Sequence, residues 1–122
     1  MIRVRRLVKS FIYAFRGLQT VFSEEQNIRI QVMLGIVGLA IGFFLKISRL
    51  EWCLLIIVLA LVVMMEIINS AVERVADVLK PRIDNYVKEI KDITAAAVML
   101  SSILAIAVGV IIFYPYLLGL IR

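Results

Sequence analysis

Four polar residues interrupt an apolar stretch at steps of three, four and four: Glu66, Asn69, Glu73 and Asp77. At about 3.6 residues per turn they share one narrow face of a helix. The uncharged run before them, Trp52 to Met65, is fourteen residues. A membrane-spanning helix needs about 20 largely apolar residues, with roughly 17 as a minimum. If this helix crosses, Glu66 and Asn69 therefore lie within or at the edge of the hydrocarbon. An acid there is costly and faces a bundle interior, an ion path or a partner. Hard carboxylate oxygens gathered on one face suit a divalent cation such as Mg²⁺. Glu66, nearest the hydrocarbon, is the candidate general base. Plainer readings stay open: Glu66 in a helix–helix hydrogen bond, Asn69 as packing glue, Glu73 and Asp77 solvated beyond the membrane edge.

Two further polar clusters accompany this one. Lys88, Lys91 and Asp92 precede the last apolar run; Lys88 and Asp92 have the spacing of a helical ion pair, and Lys91 suits a phosphate. The excess of basic residues in cytoplasmic loops is the plainer reading of Lys91. Glu24, Glu25, Asn27 and Arg29 stand before the first apolar run, where helix capping or a solvated linker would also account for Glu25 and Asn27. What is missing narrows the chemistry. There is no GxxxxGK phosphate loop and no protein-kinase loop set. The absence of histidine removes His-based triads and His zinc ligands, and the single cysteine, Cys53, excludes an internal disulfide.

The elements that must hold these residues follow from composition. At 122 residues the chain makes one domain, 1–122, and 63% of it is apolar, against a usual share of roughly 45–50%. A small soluble domain needs more polar residues to cover its surface, so a membrane protein is expected. The first span, 28–47, includes Gly35, Gly38 and Gly42 at spacings of three and four, which would permit close helix contact in lipid or reflect the ordinary enrichment of glycine in membrane helices. The second, 50–79, opens with Trp52 and continues through the acidic face until Pro81 stops it. The third, 92–116, carries no charge from Ile93 to Tyr116; Tyr114 and Tyr116 suit the interface, and Pro115 is expected to end or bend the last turn. Residues 1–23 differ. Val4, Leu7, Val8, Phe11, Ile12, Phe15, Leu18 and Phe22 recur at helical steps among Arg3, Arg5, Arg6, Lys9 and Arg16. This predicts an amphipathic helix on the membrane surface. A cleaved signal peptide fits poorly, because the charges continue too far. The fold expected is all-α: three transmembrane helices and an N-terminal surface helix.

The net charge of +5 becomes an orientation signal once located. Counted from the uncharged core of each span, six basic residues (Arg3, Arg5, Arg6, Lys9, Arg16 and Arg29) come before the first, two (Lys46 and Arg49) between the first and second, five (Arg74, Lys80, Arg82, Lys88 and Lys91) between Glu73 and the third, and one (Arg122) after it. Three crossings with that alternation place the N-terminus and the second loop in the cytoplasm, and the C-terminus outside. Topology and anionic lipid account for the charge without nucleic acid. All three polar clusters then meet at the cytoplasmic face.

The run Glu66-Ile-Ile-Asn69-Ser-Ala-Val-Glu73, followed by Asp77, resembles the signature of the small prokaryotic diacylglycerol kinase family, which includes the undecaprenol kinases of Gram-positive bacteria. Lys91-Asp92 followed by Ala95, Ala96, Ala97 and Val98 is similar to its second signature, and Glu25-Gln-Asn27-Ile-Arg29-Ile-Gln31 to a third. The resemblance covers nearly the whole chain. It implies a homotrimeric bundle in the cytoplasmic (inner) membrane with active sites between subunits, and transfer of the γ-phosphoryl group of ATP to a lipid hydroxyl with Mg²⁺. It implies Glu66 as catalytic base, Glu25 and Glu73 as metal ligands with Glu73 also near the nucleotide, and Asn69, Asp77, Lys91 and Asp92 around the nucleotide phosphates. Arg29 matches the arginine of the third signature. Gln31 departs from the pattern: many Gram-positive relatives carry histidine there, and some proteobacterial ones a carboxylate. Diacylglycerol is the leading substrate expected, with undecaprenol behind it. An ion or proton channel and a purely structural subunit are the rival classes. A channel would not need the Lys91–Asp92 pair, and a structural subunit would tolerate Glu66→Gln.

Overall fold

The structure, a computed structural model, describes residues 3–79 and 84–122. Lys80, Pro81 and Arg82, two of the counted cations and the expected helix stop, lie outside the described residues. The described chain is helical nearly throughout: α1 Val4–Glu24, α2 Gln26–Leu45, α3 Arg49–Leu79 and α4 Asp84–Ile121. Three of these, α2, α3 and α4, are long and apolar enough to cross a membrane, and the chain is a multi-pass membrane protein.

Side-chain pairings set the topology. Rising numbers on α2 meet falling numbers on α3: Glu25 precedes α2 and meets Ser70, Gln31 meets Glu66, and Gly42 faces Trp52 and Leu55. The same holds between α3 and α4, where Asp77 meets Lys91 and Glu51 meets Tyr116. The middle helix α3 therefore runs antiparallel to both α2 and α4 and packs on each. At about 1.5 Å per residue, α3 is about 46 Å long and α4 about 57 Å. Both exceed a hydrocarbon slab of about 30 Å, so they project beyond it.

The two ends of the bundle differ in chemistry. At the α2–α3 turn, Ile47, Leu55 and Ile112 form a buried cluster, with Leu39, Trp52, Phe113 and Tyr116 packed around it. Lys46 closes α2 in the left-handed region, at φ 55°. Ser48 and Glu51 then open α3 reciprocally: the Ser48 N–H donates to Glu51 Oε1 at 2.9 Å, and the Glu51 N–H to Ser48 Oγ at 3.2 Å. This capping box satisfies donors that the first helical turn leaves without partners. The Tyr116 hydroxyl donates to the same Glu51 carboxylate and ties α4 to the turn. Gly42 is the one glycine of its stripe in tight contact. A Cβ there would lie 3.1 Å from Ile47 and 3.2 Å from Trp52, whereas Gly38 faces open space.

Three expectations change. Pro115 does not end the last helix, which continues to Ile121. A proline removes one backbone donor, but the adjoining turns of a membrane helix can absorb that loss. Residues 117–121 are thus helical, and α4 is longer at both ends than the 92–116 segment. Lys88 and Asp92 form no ion pair with each other among the described residues; Lys91 reaches across to Asp77 instead.

Candidate active site between the three long helices

A single extended residue builds one edge of the site. Glu25 (φ −106°, ψ 115°) interrupts the helix between α1 and α2. Val21 and the fully buried Ile28 anchor the junction on either side. Its carboxylate accepts a hydrogen bond from the buried Ser70 hydroxyl at 3.0 Å, so it lies against α3. Arg29 donates from Nη1 to the carbonyls of Phe22 and Ser23, both at 3.3 Å. These belong to the last turn of α1, where carbonyls lack helical partners and a cation is favoured.

The acidic face of α3 grades from buried to exposed. Glu66 is 7% exposed, Asn69 and Glu73 are half-buried, and Asp77 is exposed. One chain buries Glu66 between its own α2 and α4, without a neighbouring subunit. Gln31 Nε2 donates to Glu66 Oε1 at 3.2 Å and lies 3.5 Å from Ser102 Oγ on α4. A glutamine amide therefore bridges the candidate base to both neighbouring helices. Asn69 Nδ2 donates to Glu73 Oε1 at 3.3 Å, while the buried Asn69 Oδ1 has no partner among the described residues. Lys91 Nζ donates to Asp77 Oδ1 at 2.5 Å. Asp92 is exposed and takes part in none of these contacts. Among the described residues, no three acidic or thiol side chains converge as a metal cage.

A cavity of about 960 Å³ runs from this polar edge into the apolar part of the bundle. Asn27, Gln31, Glu66 and Ser102 supply its polar lining; residues such as Leu39 and Leu59 supply the rest. An acid at one end of an apolar, three-helix cavity can accept a proton from a hydroxyl carried by a lipid.

Sequence reasoning brought together Glu25, Glu66, Asn69, Glu73, Asp77 and Lys91 on one end, and the structure places them there. It missed Ser70, Arg74 and Ser102 as members of the polar network. Arg74 donates to Ser70 Oγ at 2.5 Å, pairs with Glu24 and lies 3.6 Å from Glu25 Oε1. The available signal was position: Arg74 directly follows Glu73, and Ser70 directly follows Asn69.

The family model for prokaryotic diacylglycerol kinases matches residues 12–113. An undecaprenol kinase of Bacillus subtilis is 27% identical over 114 residues, 93% of each chain. A diacylglycerol kinase of Helicobacter pylori is 32% identical over 99 residues, 81% of this chain and 77% of that one. One from Escherichia coli K12 is 27% identical over 111 residues, 91% of each. With its three apolar helices and the acid, amide and lysine gathered at one end, the chain belongs to the prokaryotic diacylglycerol kinase family, a family of small membrane kinases.

Proposed function

We propose that this chain is an ATP-dependent lipid kinase that phosphorylates diacylglycerol to phosphatidic acid at its cytoplasmic membrane face. The observation that carries the reading is Glu66, buried and hydrogen-bonded to Gln31, at the end of an apolar cavity open to three helices. The lipid hydroxyl enters that cavity. Its oxygen forms the new bond to the γ-phosphorus, its proton passes to Glu66, and the bond from the γ-phosphorus to the bridging oxygen of ADP breaks. Positioning and charge stabilisation carry most of such catalysis. Lys91 offsets phosphate charge, and Asn69, Asp77 and Asp92 line the nucleotide side. Arg29 serves the same side indirectly by holding α1 against α2.

The donor set fits Mg²⁺. That ion is usually held by one or two carboxylates together with substrate phosphates, so a three-acid cage is not needed. Glu73 and Glu25 would hold it, and the unpartnered Asn69 Oδ1 supplies a further hard oxygen beside Glu73. When bound, Mg²⁺ neutralises charge on the β- and γ-phosphate oxygens. The working form is a homotrimer with shared sites, N-terminus in the cytoplasm, C-terminus outside and α1 on the membrane surface. Exposed apolar side chains on α1, such as Leu7, Phe11 and Phe15, support that placement.

Undecaprenol is the second reading, favoured by the Bacillus subtilis relative that carries that name and is covered over 93% of its length. The test is phosphate transfer from labelled ATP–Mg²⁺ by the purified chain to each lipid in parallel, with Glu66→Gln as control. Diacylglycerol is the better acceptor if the first reading holds, and Glu66→Gln is inactive while still folded. Transfer to neither lipid, or full turnover by the variant, overturns it.

A further inference from the structure

Arg74 counts in the sequence only as one basic residue of a cytoplasmic loop, yet in the structure it grips three side chains across two helices. Its Nη1 lies 2.5 Å from Ser70 Oγ and 3.6 Å from Glu25 Oε1, and its Nη2 pairs with Glu24. Ser70 is 2% exposed, and its only hydroxyl proton is donated to Glu25 Oε1 at 3.0 Å. The serine oxygen must then accept from Arg74. The contacts therefore run in one direction, from guanidinium to hydroxyl to carboxylate, and end on the acid that begins α2.

We propose that Arg74 is a positioning residue for Glu25, acting through Ser70, and so sets the affinity of the site for its divalent cation; this rests on the kinase reading above. Glu25 needs such a device. It sits on the one extended residue between two helices, where no neighbouring helical turn limits its side chain. Arg74 stands one residue after Glu73 and Ser70 one after Asn69, so the tie holds Glu25 beside the turn that carries the other oxygen donors. The Arg74 and Glu24 side chains are 41% and 61% exposed. Ion pairs that open to solvent contribute little to stability, so orientation is what the network supplies. The planar fork suits this in a way a lysine ammonium does not.

A contrary effect makes the idea testable. Arg74 is itself a cation beside a cation site, and by charge alone its removal would tighten metal binding. Positioning predicts the reverse. Mn²⁺, standing in for Mg²⁺, is titrated into the full chain in detergent and followed by electron paramagnetic resonance. Arg74→Gln, Arg74→Lys and Ser70→Ala each weaken Mn²⁺ binding by about tenfold, the usual scale for a group that orients a metal ligand. Each also raises KM for ATP–Mg²⁺ while leaving KM for the lipid and kcat at saturation near wild type. Tighter or unchanged Mn²⁺ binding in Arg74→Gln overturns the proposal, as does wild-type binding in both Arg74→Lys and Ser70→Ala. The binding arm needs no turnover. A wild-type chain that binds Mn²⁺ and phosphorylates neither lipid defeats the kinase reading, while Arg74 is still judged on binding.

Discussion

Glu66 accepts a hydrogen bond from one amide. Gln31 supplies a single Nε2 that faces both the Glu66 carboxylate and the Ser102 hydroxyl. As a donor, it supports the ionised carboxylate that a base must be before it takes a proton. Replacing Gln31 with leucine leaves a buried acid without that donor. A hydrogen bond to a charged group is worth about 1.5–3 kcal/mol, so the expected fall in kcat is about tenfold to a hundredfold. Steady-state kinetics with both substrates saturating, alongside a folding check, would measure it; unchanged kcat would remove Gln31 from the mechanism. The acidic face of α3 was legible at this scale because 3.6-residue periodicity is a local property of the chain. Ser102 was not, since it meets Gln31 from 71 positions away, and no local pattern carries that.

Among the elements, the α2–α3 turn shows the tightest construction. A helix stop at a left-handed Lys46, a Ser48–Glu51 capping box and a glycine against an indole occupy a short stretch. Gly42→Leu must displace Ile47 and Trp52, and overpacking of this kind costs about 1–3 kcal/mol. Thermal unfolding in detergent should show a clear drop for Gly42→Leu and little change for Gly38→Ala, whose Cβ would meet open space. Equal behaviour of the two would mean that the stripe, rather than one contact, matters. The spacing of the three glycines was visible in the sequence, but only the antiparallel approach of α3 selects Gly42. Pro115 teaches the same lesson in reverse: a local breaker is overridden where α4 continues as a helix to Ile121.

At the scale of the whole molecule, the bundle is apolar and locked at the turn end, and polar at the end where α3 and α4 project. Glu66 and Asp77 are separated by about 16 Å along α3, which leaves room for a triphosphate between the candidate base and the Lys91–Asp77 pair. Shared sites predict that inactive Glu66→Gln chains and inactive Lys91→Ala chains regain activity when mixed into one oligomer. Phosphate transfer after co-refolding would report it; absence of any rescue would place each site within one chain. The sequence alone determined the membrane class, the helical periodicity, the acidic face and the family resemblance, because hydropathy and helical spacing are written in neighbouring residues. The tertiary structure alone decided that one chain buries Glu66, that Gln31 and Ser102 flank it, and that Ser70 and Arg74 hold Glu25. Those are meetings between helices, set by antiparallel packing and register, and they join residues whose separation along the chain conceals their contact.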